Sequence, residues 1–432
     1  METEIKWAKR DAAGNGNGAG DGDRAAPDYV WPDGGCSRIP FWVYTDDEIY
    51  RREQERIFRG ANWAYVALEC EIPNPGDFKR SFVGDLPIVV VRDTDGSVNA
   101  FANSCAHRGV AFCQSDHGNA KSFTCPYHHW SYDLKGNVTG LPFRRGYKGK
   151  GGMPADFDLS QHRARPLVVN VRHGAIFASF DPSVESFEDY LGPRMLSYFD
   201  RVFDGRKLEL LGYMRQRIDG NWKFMFENLK DPYHASLLHV FFVTFGLFRM
   251  DAQSAIEMDE TGRHCAMINR RGGKLDEVAA HEMRQTLRAD MQLKDTRVLD
   301  LIREYPGDVT AVMCTFWPNL IIQQQSNTLA MRHLVPRGPD SHDLHWTFFG
   351  YADDTPEMRA HRIRQANLMG PAGFVSVDDS EVMVMSQEGV TPYNDGAGVA
   401  EMAGRTVEDH DHTITEVAVR GLYQHYRKVM GL

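Results

Sequence analysis

No run of apolar residues in this sequence is long enough to cross a bilayer, and no signal peptide opens it. The longest apolar stretch, from Leu237 to Phe248, has 12 residues and contains a histidine, whereas a membrane-spanning helix needs about 20 residues. The first ten residues, METEIKWAKR, carry charges throughout and have no apolar core. We therefore expect a cytoplasmic protein that does not enter the membrane.

The chain also lacks an excess of positive charge. Lys and Arg together number 49 against 59 Asp and Glu, which gives a net charge of -10. Proteins that hold nucleic acid usually present a strong basic field, so nucleic acid is not expected as a main partner. The 432 residues, 42% hydrophobic and 25% charged, are typical of a globular protein of two or three domains.

The sequence contains few cysteines, and their number is odd. Seven cysteines scattered over 432 residues do not indicate a disulfide framework and suit a reducing compartment. Some of these thiols are therefore candidates for metal binding. The seven are Cys36, Cys70, Cys105, Cys113, Cys125, Cys265 and Cys314.

The pattern of residues predicts an α+β protein, with a small all-β domain inserted ahead of a larger domain made of an antiparallel sheet plus helices. Strands are predicted at 166–181, 309–335 and 343–351, and helices near 46–60, 226–242, 280–304 and 380–388. We divide the chain into a mobile N-terminal arm (1–38), an N-terminal helix packing on the larger domain (39–61), the all-β domain (62–172) and the larger domain (173–432).

Two short pairs of cysteine and histidine lie in the β-rich part. Cys105-Ala-His107 and Cys125-Pro-Tyr-His128 are separated by 17 residues, and each stands beside turn-forming residues. Two thiolates and two imidazoles can bind tetrahedral zinc, or a [2Fe-2S] cluster with two cysteines on one iron and two histidines on the other. Each segment supplies one Cys and one His, which favours the cluster, and structural zinc remains the alternative.

A second group of polar residues lies in the apolar segment 226–242. His234 and His239 are five residues apart, so on a regular helix of about 100° per residue their side chains would diverge by about 140°. Joint metal binding therefore requires a break in the helix between them. Asp378-Asp379 precedes a helical pattern and can supply a carboxylate. Two histidines and one carboxylate are the ligands of non-haem Fe(II) oxygenases.

The residues Cys105-Ala-His107-Arg-Gly109 and Cys125-Pro-Tyr-His128-His129-Trp130 resemble the Rieske motif, in which glycine often stands where this chain has His129. With Glu227-Asn-Leu-Lys-Asp-Pro-Tyr-His-Ala-Ser-Leu-Leu-His239 and Gly370-Pro-Ala-Gly-Phe-Val-Ser-Val-Asp-Asp379, the chain resembles the α subunit of Rieske non-haem iron ring-hydroxylating oxygenases. The resemblance implies cluster ligands Cys105, His107, Cys125 and His128, and mononuclear iron ligands His234, His239 and Asp379.

The resemblance also implies partners and further catalytic residues. Asp231 matches the aspartate that links a cluster histidine of one subunit, here His128, to an iron histidine of the next, here His234, so a trimer is expected. A plain helix cap is the alternative role for Asp231. Asn228 is assigned with Asp231 to the catalytic residues. Electrons would come from NAD(P)H through a separate reductase, with or without a ferredoxin, and a small β subunit would complete an α3β3 assembly.

The quoted segments are most similar to oxygenases that act on aromatic carboxylates, with salicylate the first candidate and anthranilate, benzoate and terephthalate the alternatives. Hydroxylation of salicylate to catechol and to gentisate both remain open. A carboxylate in an apolar pocket needs a cation, and Arg332 is the candidate. Val375, Phe241 and Phe245 are candidate pocket walls. A Rieske-type electron carrier and a zinc-stabilised interaction protein are the alternatives from other classes.

Overall fold

Two seven-stranded antiparallel sheets organise the part of the chain that the computed structural model describes, residues 29–248, 252–270 and 277–432. Residues from Trp31 onward form one compact unit. No helix in the described part is long and apolar enough to cross a bilayer. All seven cysteines are free.

The first sheet has the strand order β2-β11-β10-β5-β4-β3-β6, and a three-stranded sheet, β7-β8-β9, lies in the same part of the chain. Strand β4 forms because the run Pro87–Arg92 is rich in β-branched residues, and the turn that follows it contains Gly96 with φ 87°. The strands are β1 (Arg38–Pro40), β2 (Ala64–Leu68), β3 (Asp77–Val83), β4 (Leu86–Arg92), β5 (Val98–Ala102), β6 (His117–Asn119), β7 (Phe123–Thr124), β8 (Ser131–Tyr132), β9 (Val138–Gly140), β10 (Pro166–Arg172) and β11 (Ala175–Ser179).

The second sheet has the order β12-β18-β17-β16-β15-β14-β13. The strands predicted at 309–335 and 343–351 are present in it. Because side chains alternate between faces, one face of β17 presents Met331 to the large apolar core, and the other presents Arg332. The strands are β12 (Leu208–Ile218), β13 (Ser254–Met258), β14 (Cys265–Arg270), β15 (Val309–Phe316), β16 (Leu320–Gln325), β17 (Thr328–Gly338), β18 (Ser341–Tyr351) and β19 (Ala397–Val399), of which β19 pairs with β1.

Ten α-helices are described, most of them short. They are α1 (Trp42–Thr45), α2 (Asp47–Glu53), α3 (Phe187–Val202), α4 (Trp222–Asn228), α5 (Ala235–Leu238), α6 (Val240–Thr244), α7 (Glu277–Glu282), α8 (Pro356–Met369), α9 (Phe374–Val390) and α10 (Val417–Met430). The helix predicted over 280–304 is wrong: α7 ends at Glu282, and only a 3-10 turn follows at Thr296–Leu299. Few apolar residues of this segment are packed in a hydrophobic core. The small apolar cluster next to α7 has three buried residues, Val243, Ala279 and Met283.

The N-terminal helix is present as α2, which continues as a π-helical turn to Phe58. Asp46 caps it by accepting hydrogen bonds from two backbone N–H groups. At its end, buried Glu53 accepts hydrogen bonds from Trp222 Nε1 over 2.8 Å and from Lys223 Nζ over 2.7 Å. These bonds join α2 to α4, the helix that leads into the candidate site.

The predicted N-terminal arm lies largely outside the described residues, which begin at residue 29. Its last residues are packed, because Arg38 pairs with Val399 in the β1–β19 ribbon. The domain boundaries given above stay predictions.

Candidate functional site: two metal centres

Two loops of similar shape carry the Cys/His pairs. Each loop turns back on its cysteine: Gly109 N donates to Cys105 O over 2.8 Å, and His129 N donates to Cys125 O over 3.0 Å. Both turns need a left-handed residue, which is Gly109 with φ 72° in one loop and His129 with φ 56° in the other. This explains why glycine is usual at the position of His129, since an L side chain is strained there.

The four side chains of these loops form one donor set. Cys105 and Cys125 are 3% and 1% exposed, and the rings of His107 and His128 lie with centroids 4.5 Å apart. The Nδ1 atom of His107 is buried and has no hydrogen-bond partner, as expected of an atom that serves as a metal ligand. Two buried thiols beside two imidazoles fit a [2Fe-2S] cluster with asymmetric ligation.

One further polar contact reaches this donor set. The Tyr132 hydroxyl donates a hydrogen bond to Cys105 Sγ over 3.2 Å. Hydrogen bonds to the sulfurs help to set the potential of an iron–sulfur cluster. Tyr132 therefore belongs to the candidate centre, although the sequence motif alone did not single it out.

The second centre depends on the helix break that the histidine spacing predicted. Pro232–His234 forms a 3-10 turn, α5 follows, and His239 interrupts the helical path with φ -85° and ψ 88° before α6 begins. The break turns both imidazoles toward one point. Their ring centroids lie 5.5 Å apart.

Asp379 completes this group. Its Oδ1 atom lies 3.5 Å from His234 Nε2 and 3.3 Å from His239 Nε2, and one ligand atom from each of the three residues lies within 4.8 Å of the others. Asp379 is inside helix α9, where the sequence suggested that a helix would begin only after it. The three side chains fit a single metal ion with open positions.

The outer ring nitrogens of the two histidines are held by carboxylates. His234 Nδ1 lies 2.7 Å from Asp231 Oδ1, and His239 Nδ1 lies 3.3 Å from Asp378 Oδ2. A carboxylate on Nδ1 fixes the tautomer that offers Nε2 to a metal. Asp378 is therefore positioned to orient the ring of His239. The side chain of Asp231 contacts His234 and makes no capping hydrogen bond, which disfavours its alternative role as a helix cap.

The charges of the second centre are strongly coupled. Burial lowers the pKa of His234, but its hydrogen bonds to Asp231 and Asp379 outweigh this effect and raise the pKa to about 10. Burial raises the pKa of Asp379, yet hydrogen bonds from His234 and His239 hold it far below the usual range of a carboxyl group. The ionised carboxylate of Asp379 thus favours positive charge at the two imidazoles, whose pKa values are both raised, and a metal cation can supply that charge in place of protons.

Asn228 bridges two of the candidate ligands, His234 and Asp379. Its Nδ2 atom lies 3.2 Å from His234 Nε2 and donates to Asp379 Oδ1 over 3.1 Å. Asn228 ends helix α4, so the α2–α4 anchor at Glu53 helps to fix its position.

A largely apolar cavity lies against this centre. Arg332 projects into it from β17, and Val375 lines it from α9, as the sequence predicted for a pocket wall. Arg332 is 3% exposed, so it does not lie on a solvent face of the strand. The residues that line the cavity are Asn228, Leu229, Pro232, His234, Ala235, His239, Phe242, Phe248, Met267, Met313, Gln323, Gln325, Arg332, Trp346, Met369, Val375, Ser376 and Asp379.

Two predicted pocket walls lie elsewhere in the described structure. Phe241 packs against Phe245 with ring centroids 4.8 Å apart and against Phe374, and neither Phe241 nor Phe245 lines the cavity, which Phe242 and Phe248 line in their place. The break at His239 resets the helical phase, which turns position 242 toward the cavity.

Sequence reasoning missed the polar residues that share a face with Arg332. Ile321 and Trp346 lie directly opposite Arg332 in the sheet, so Gln323 and Gln325 point to the same side. Gln323 Nε2 donates to Gln325 Oε1 over 3.0 Å, and Gln323 Oε1 is buried without a partner. The sign of this in the sequence was the run of three glutamines, Gln323–Gln325, which directly follows the apolar residues Leu320–Ile322.

A chain with a Cys/His loop pair of this kind, followed by a His/His/Asp centre under an antiparallel sheet, is a Rieske-type non-haem iron oxygenase. Residues 62–150 match the family described as Rieske [2Fe-2S] domain, and residues 202–432 match the family described as Ring hydroxylating alpha subunit (catalytic domain). The chain belongs to the Rieske ring-hydroxylating oxygenase α subunits, and its cofactors are a Rieske cluster and a mononuclear iron. The two family matches decide against the alternative hypotheses of a structural zinc site and of a simple electron carrier.

Relatives support the same conclusion. The chain is 53% identical to the large oxygenase component of salicylate 5-hydroxylase of Ralstonia sp, over 94% of this chain and 97% of the relative. It is 47% identical to the large subunit of anthranilate 1,2-dioxygenase of Burkholderia cepacia, over 94% and 96%. It is 43% identical to terephthalate 1,2-dioxygenase terminal oxygenase component subunit alpha 2 of Comamonas sp, over 93% and 97%.

Among solved structures, naphthalene 1,2-dioxygenase from Rhodococcus sp. has the same fold. It superposes with a TM-score of 0.75 at 24% identity, covering 91% of this chain and 94% of the other. The family match and the three relatives show that the chain is an oxidoreductase of the aromatic ring-hydroxylating type.

Proposed function

We propose that this chain hydroxylates an aromatic carboxylate, with salicylate as the first candidate substrate. The observation that carries the proposal is the buried guanidinium of Arg332 in the same cavity as His234, His239 and Asp379. The names of the three relatives described above, which concern salicylate, anthranilate and terephthalate, support the same substrate class.

Arg332 is suited to bind a carboxylate. Burial lowers its pKa to about 10 while Asp379 opposes the shift, so it stays charged at neutral pH. Arg332 forms no ion pair with any residue in the described ranges. Its Nε atom has no hydrogen-bond partner, and its Nη2 atom donates to the sulfur of Met225 over 3.0 Å. Its guanidinium lies 4.4 Å from the ring centroid of Trp346. A buried cation held in place without an anion is poised for a bidentate carboxylate.

Gln323 favours a substrate with a donor group next to the carboxylate. Its unpartnered Oε1 can accept a hydrogen bond from the hydroxyl of salicylate or from the amino group of anthranilate, and benzoate has neither. Because an unsatisfied buried acceptor costs about 1–3 kcal/mol, this atom favours salicylate and anthranilate over benzoate. Anthranilate is therefore the second candidate.

We assign the four side chains Cys105, His107, Cys125 and His128 to the Rieske cluster, and His234, His239 and Asp379 to the mononuclear iron. When bound, these groups supply one-electron transfer and O2 activation. The side chains of the protein position these groups and the substrate. Asp231 and Asp378 hold the imidazole tautomers, Asn228 restrains His234 and Asp379, and Arg332 with Val375 orients the ring in a cavity that excludes water.

We further propose that Asp231 links subunits in a trimer. Its side chain is 28% exposed, and together with His234 it lines a cleft of about 540 Å³. That cleft leaves room for a neighbouring subunit to bring its His128 to Asp231. Electrons would reach each cluster in the cytoplasm from NAD(P)H through a separate reductase, with or without a ferredoxin, and a small β subunit would complete an α3β3 assembly.

A substrate panel tests the proposal. Purified enzyme with a reducing system is given salicylate, anthranilate, benzoate and terephthalate, and products and O2 uptake are measured. We expect turnover of salicylate coupled to O2 uptake, with gentisate or catechol identifying the position of attack. Turnover of neutral aromatic hydrocarbons in preference to all four carboxylates would contradict the proposal.

A further inference from the structure

A short exposed loop of the cluster-bearing part of the chain is basic, although the chain as a whole is acidic. Residues 143–152, FRRGYKGKGG, contain four cations and no carboxylate, in a protein whose net charge is -10. We call residues 143–152 the basic loop. The function described above makes no use of it.

The basic loop carries two large aromatic side chains in solvent. Phe143 is 71% exposed and Tyr147 is 62% exposed, and their ring centroids lie 6.3 Å apart, so the two rings form one exposed apolar patch of the kind that marks interaction sites. Tyr147 and Lys150 pair through their backbones, which gives the loop a defined shape, and Lys148 Nζ lies 5.3 Å from the Tyr147 ring centroid. Its cations are Arg144, Arg145, Lys148 and Lys150, and none forms an ion pair with a described residue.

The basic loop is packed onto the cluster site through a continuous set of contacts. Arg144 Nη2 donates to Phe157 O over 3.2 Å. The Phe157 ring meets Trp130 at a centroid distance of 6.3 Å, and Trp130 stacks on His107 at 5.1 Å. Since His107 belongs to the cluster donor set, a partner seated on the loop lies two ring contacts from a cluster histidine.

We propose that the basic loop is the docking surface for the electron donor, an acidic iron–sulfur protein of the ferredoxin type. The proposal rests on the function proposed above, which requires electrons from a separate protein. An acidic partner is repelled by the net negative charge of this chain and attracted to the basic loop, which steers it to the cluster. Exposed Phe, Tyr and Arg are also the residues that dominate protein interfaces.

Charge reversal on the loop tests the docking surface in the assembled holoenzyme. The double variant Arg145→Glu/Lys148→Glu is mixed with an acidic plant-type [2Fe-2S] ferredoxin that has been reduced and freed of reductant. Stopped-flow bleaching of the oxidised Rieske cluster gives the second-order rate constant. We expect a fall of about 10-fold or more at low ionic strength, and a smaller difference at high salt because the interaction is screened.

A second double variant, with the same change of charge at residues far from the basic loop in the sequence, is the matched control. Lys207 and Lys294 are exposed residues of the larger domain, and Lys207→Glu/Lys294→Glu should keep the wild-type rate constant. An equal fall in both double variants, or no fall in either, would overturn the proposal. A second pair, Phe143→Ala and Tyr147→Ala, should slow reduction at high salt as well, since their contribution is apolar.

Two measurements separate docking from the rest of the function. Enzyme reduced chemically with dithionite should give the wild-type yield of product from salicylate in a single turnover when the loop is reversed. If wild-type enzyme gives no product while the loop variant is still reduced more slowly by ferredoxin, the substrate proposal fails and the docking proposal stands. Dissociation of the variant into smaller species on gel filtration would assign the loop to a subunit contact and overturn the proposal.

Discussion

Asp378 lies beside the outer ring nitrogen of His239, with 3.3 Å between Oδ2 and Nδ1. Its neighbour Asp379 lies at the inner nitrogen of the same ring, with 3.3 Å between Oδ1 and Nε2. Two adjacent aspartates of one helix therefore hold opposite edges of one imidazole. The inner one is positioned to share a metal with the ring, and the outer one to orient it.

The two aspartates should differ sharply in their effect on iron. We expect Asp379→Ala to lose the mononuclear iron, because a ligand is removed. Asp378→Asn should weaken iron binding or activity by about 10- to 100-fold, the usual effect of losing a group that orients a ligand. Iron titration of the purified variants, with the visible spectrum of the cluster as an internal reference, measures both effects. A greater iron loss in Asp378→Asn than in Asp379→Ala would reverse the assignment.

Replacing Asp231 with Asn should slow electron transfer more than it affects metal content. The Asn side chain can still accept a hydrogen bond from His234, but it removes the charge that, in our proposal, joins the two centres across subunits. We expect turnover to fall about 10- to 100-fold with cluster and iron retained.

The direct measurement for Asp231→Asn is the rate at which the reduced cluster is reoxidised when substrate and O2 are mixed with the enzyme. Asp219→Asn, at an exposed position before α4, serves as a control and should behave as wild type. Wild-type reoxidation in Asp231→Asn would remove Asp231 from the transfer route.

Arg332→Gln should discriminate against carboxylated substrates. A charge-assisted hydrogen bond contributes about 1.5–3 kcal/mol, so KM for salicylate should rise by about 10- to 100-fold. Salicylamide, which has no carboxylate, should show little change. Gln is chosen because it keeps a polar donor in the cavity. An equal rise in KM for both compounds would show that the substitution disturbs the cavity instead of removing a carboxylate contact.

Glu227 should make stability depend on pH. It accepts hydrogen bonds from the hydroxyls of Tyr44, over 3.1 Å, and Tyr423, and burial raises its pKa from 4.5 to about 7. Between these two pH values the folded chain keeps a proton that the unfolded chain has released, so the free energy of unfolding falls as pH rises. The loss, complete above pH 7, is up to about 3 kcal/mol.

Glu227→Gln cannot ionise and should escape this loss. The difference in Tm between variant and wild type should therefore become more favourable to the variant from pH 5 to pH 8, as measured by thermal unfolding. The exposed residue Glu357 gives the control, because Glu357→Gln should differ from wild type by the same amount at both pH values. A Tm difference for Glu227→Gln that does not change with pH would contradict the assignment.

The candidate ligand residues could be located in the sequence because their spacing is local. The two Cys/His loops need only a short turn each, and the spacing of five positions from His234 to His239 implies a break on helical geometry alone. The pocket walls could not be predicted in the same way. The break at His239 changes the helical phase by an amount that only the fold fixes, so Phe241 was chosen where Phe242 lines the cavity.

Contacts between strands that are distant in the sequence also could not be predicted. Arg332 could be chosen because a buried carboxylate needs a cation, but Gln323 shares its face only through the pairing of β16 with β17. The predicted helix over 280–304 failed for a related reason, since helical spacing does not reveal whether a core exists for the apolar residues to pack against.

The central claim is that two separate groups of residues hold two separate iron centres. The most direct test of this claim is to measure the iron content of the variant His234→Ala. The wild-type chain should contain about three irons, two in the cluster and one mononuclear. The variant should contain about two, keep the visible spectrum of the cluster and lose all turnover of salicylate. A variant that retains the third iron, or that loses the cluster spectrum together with it, would contradict the account.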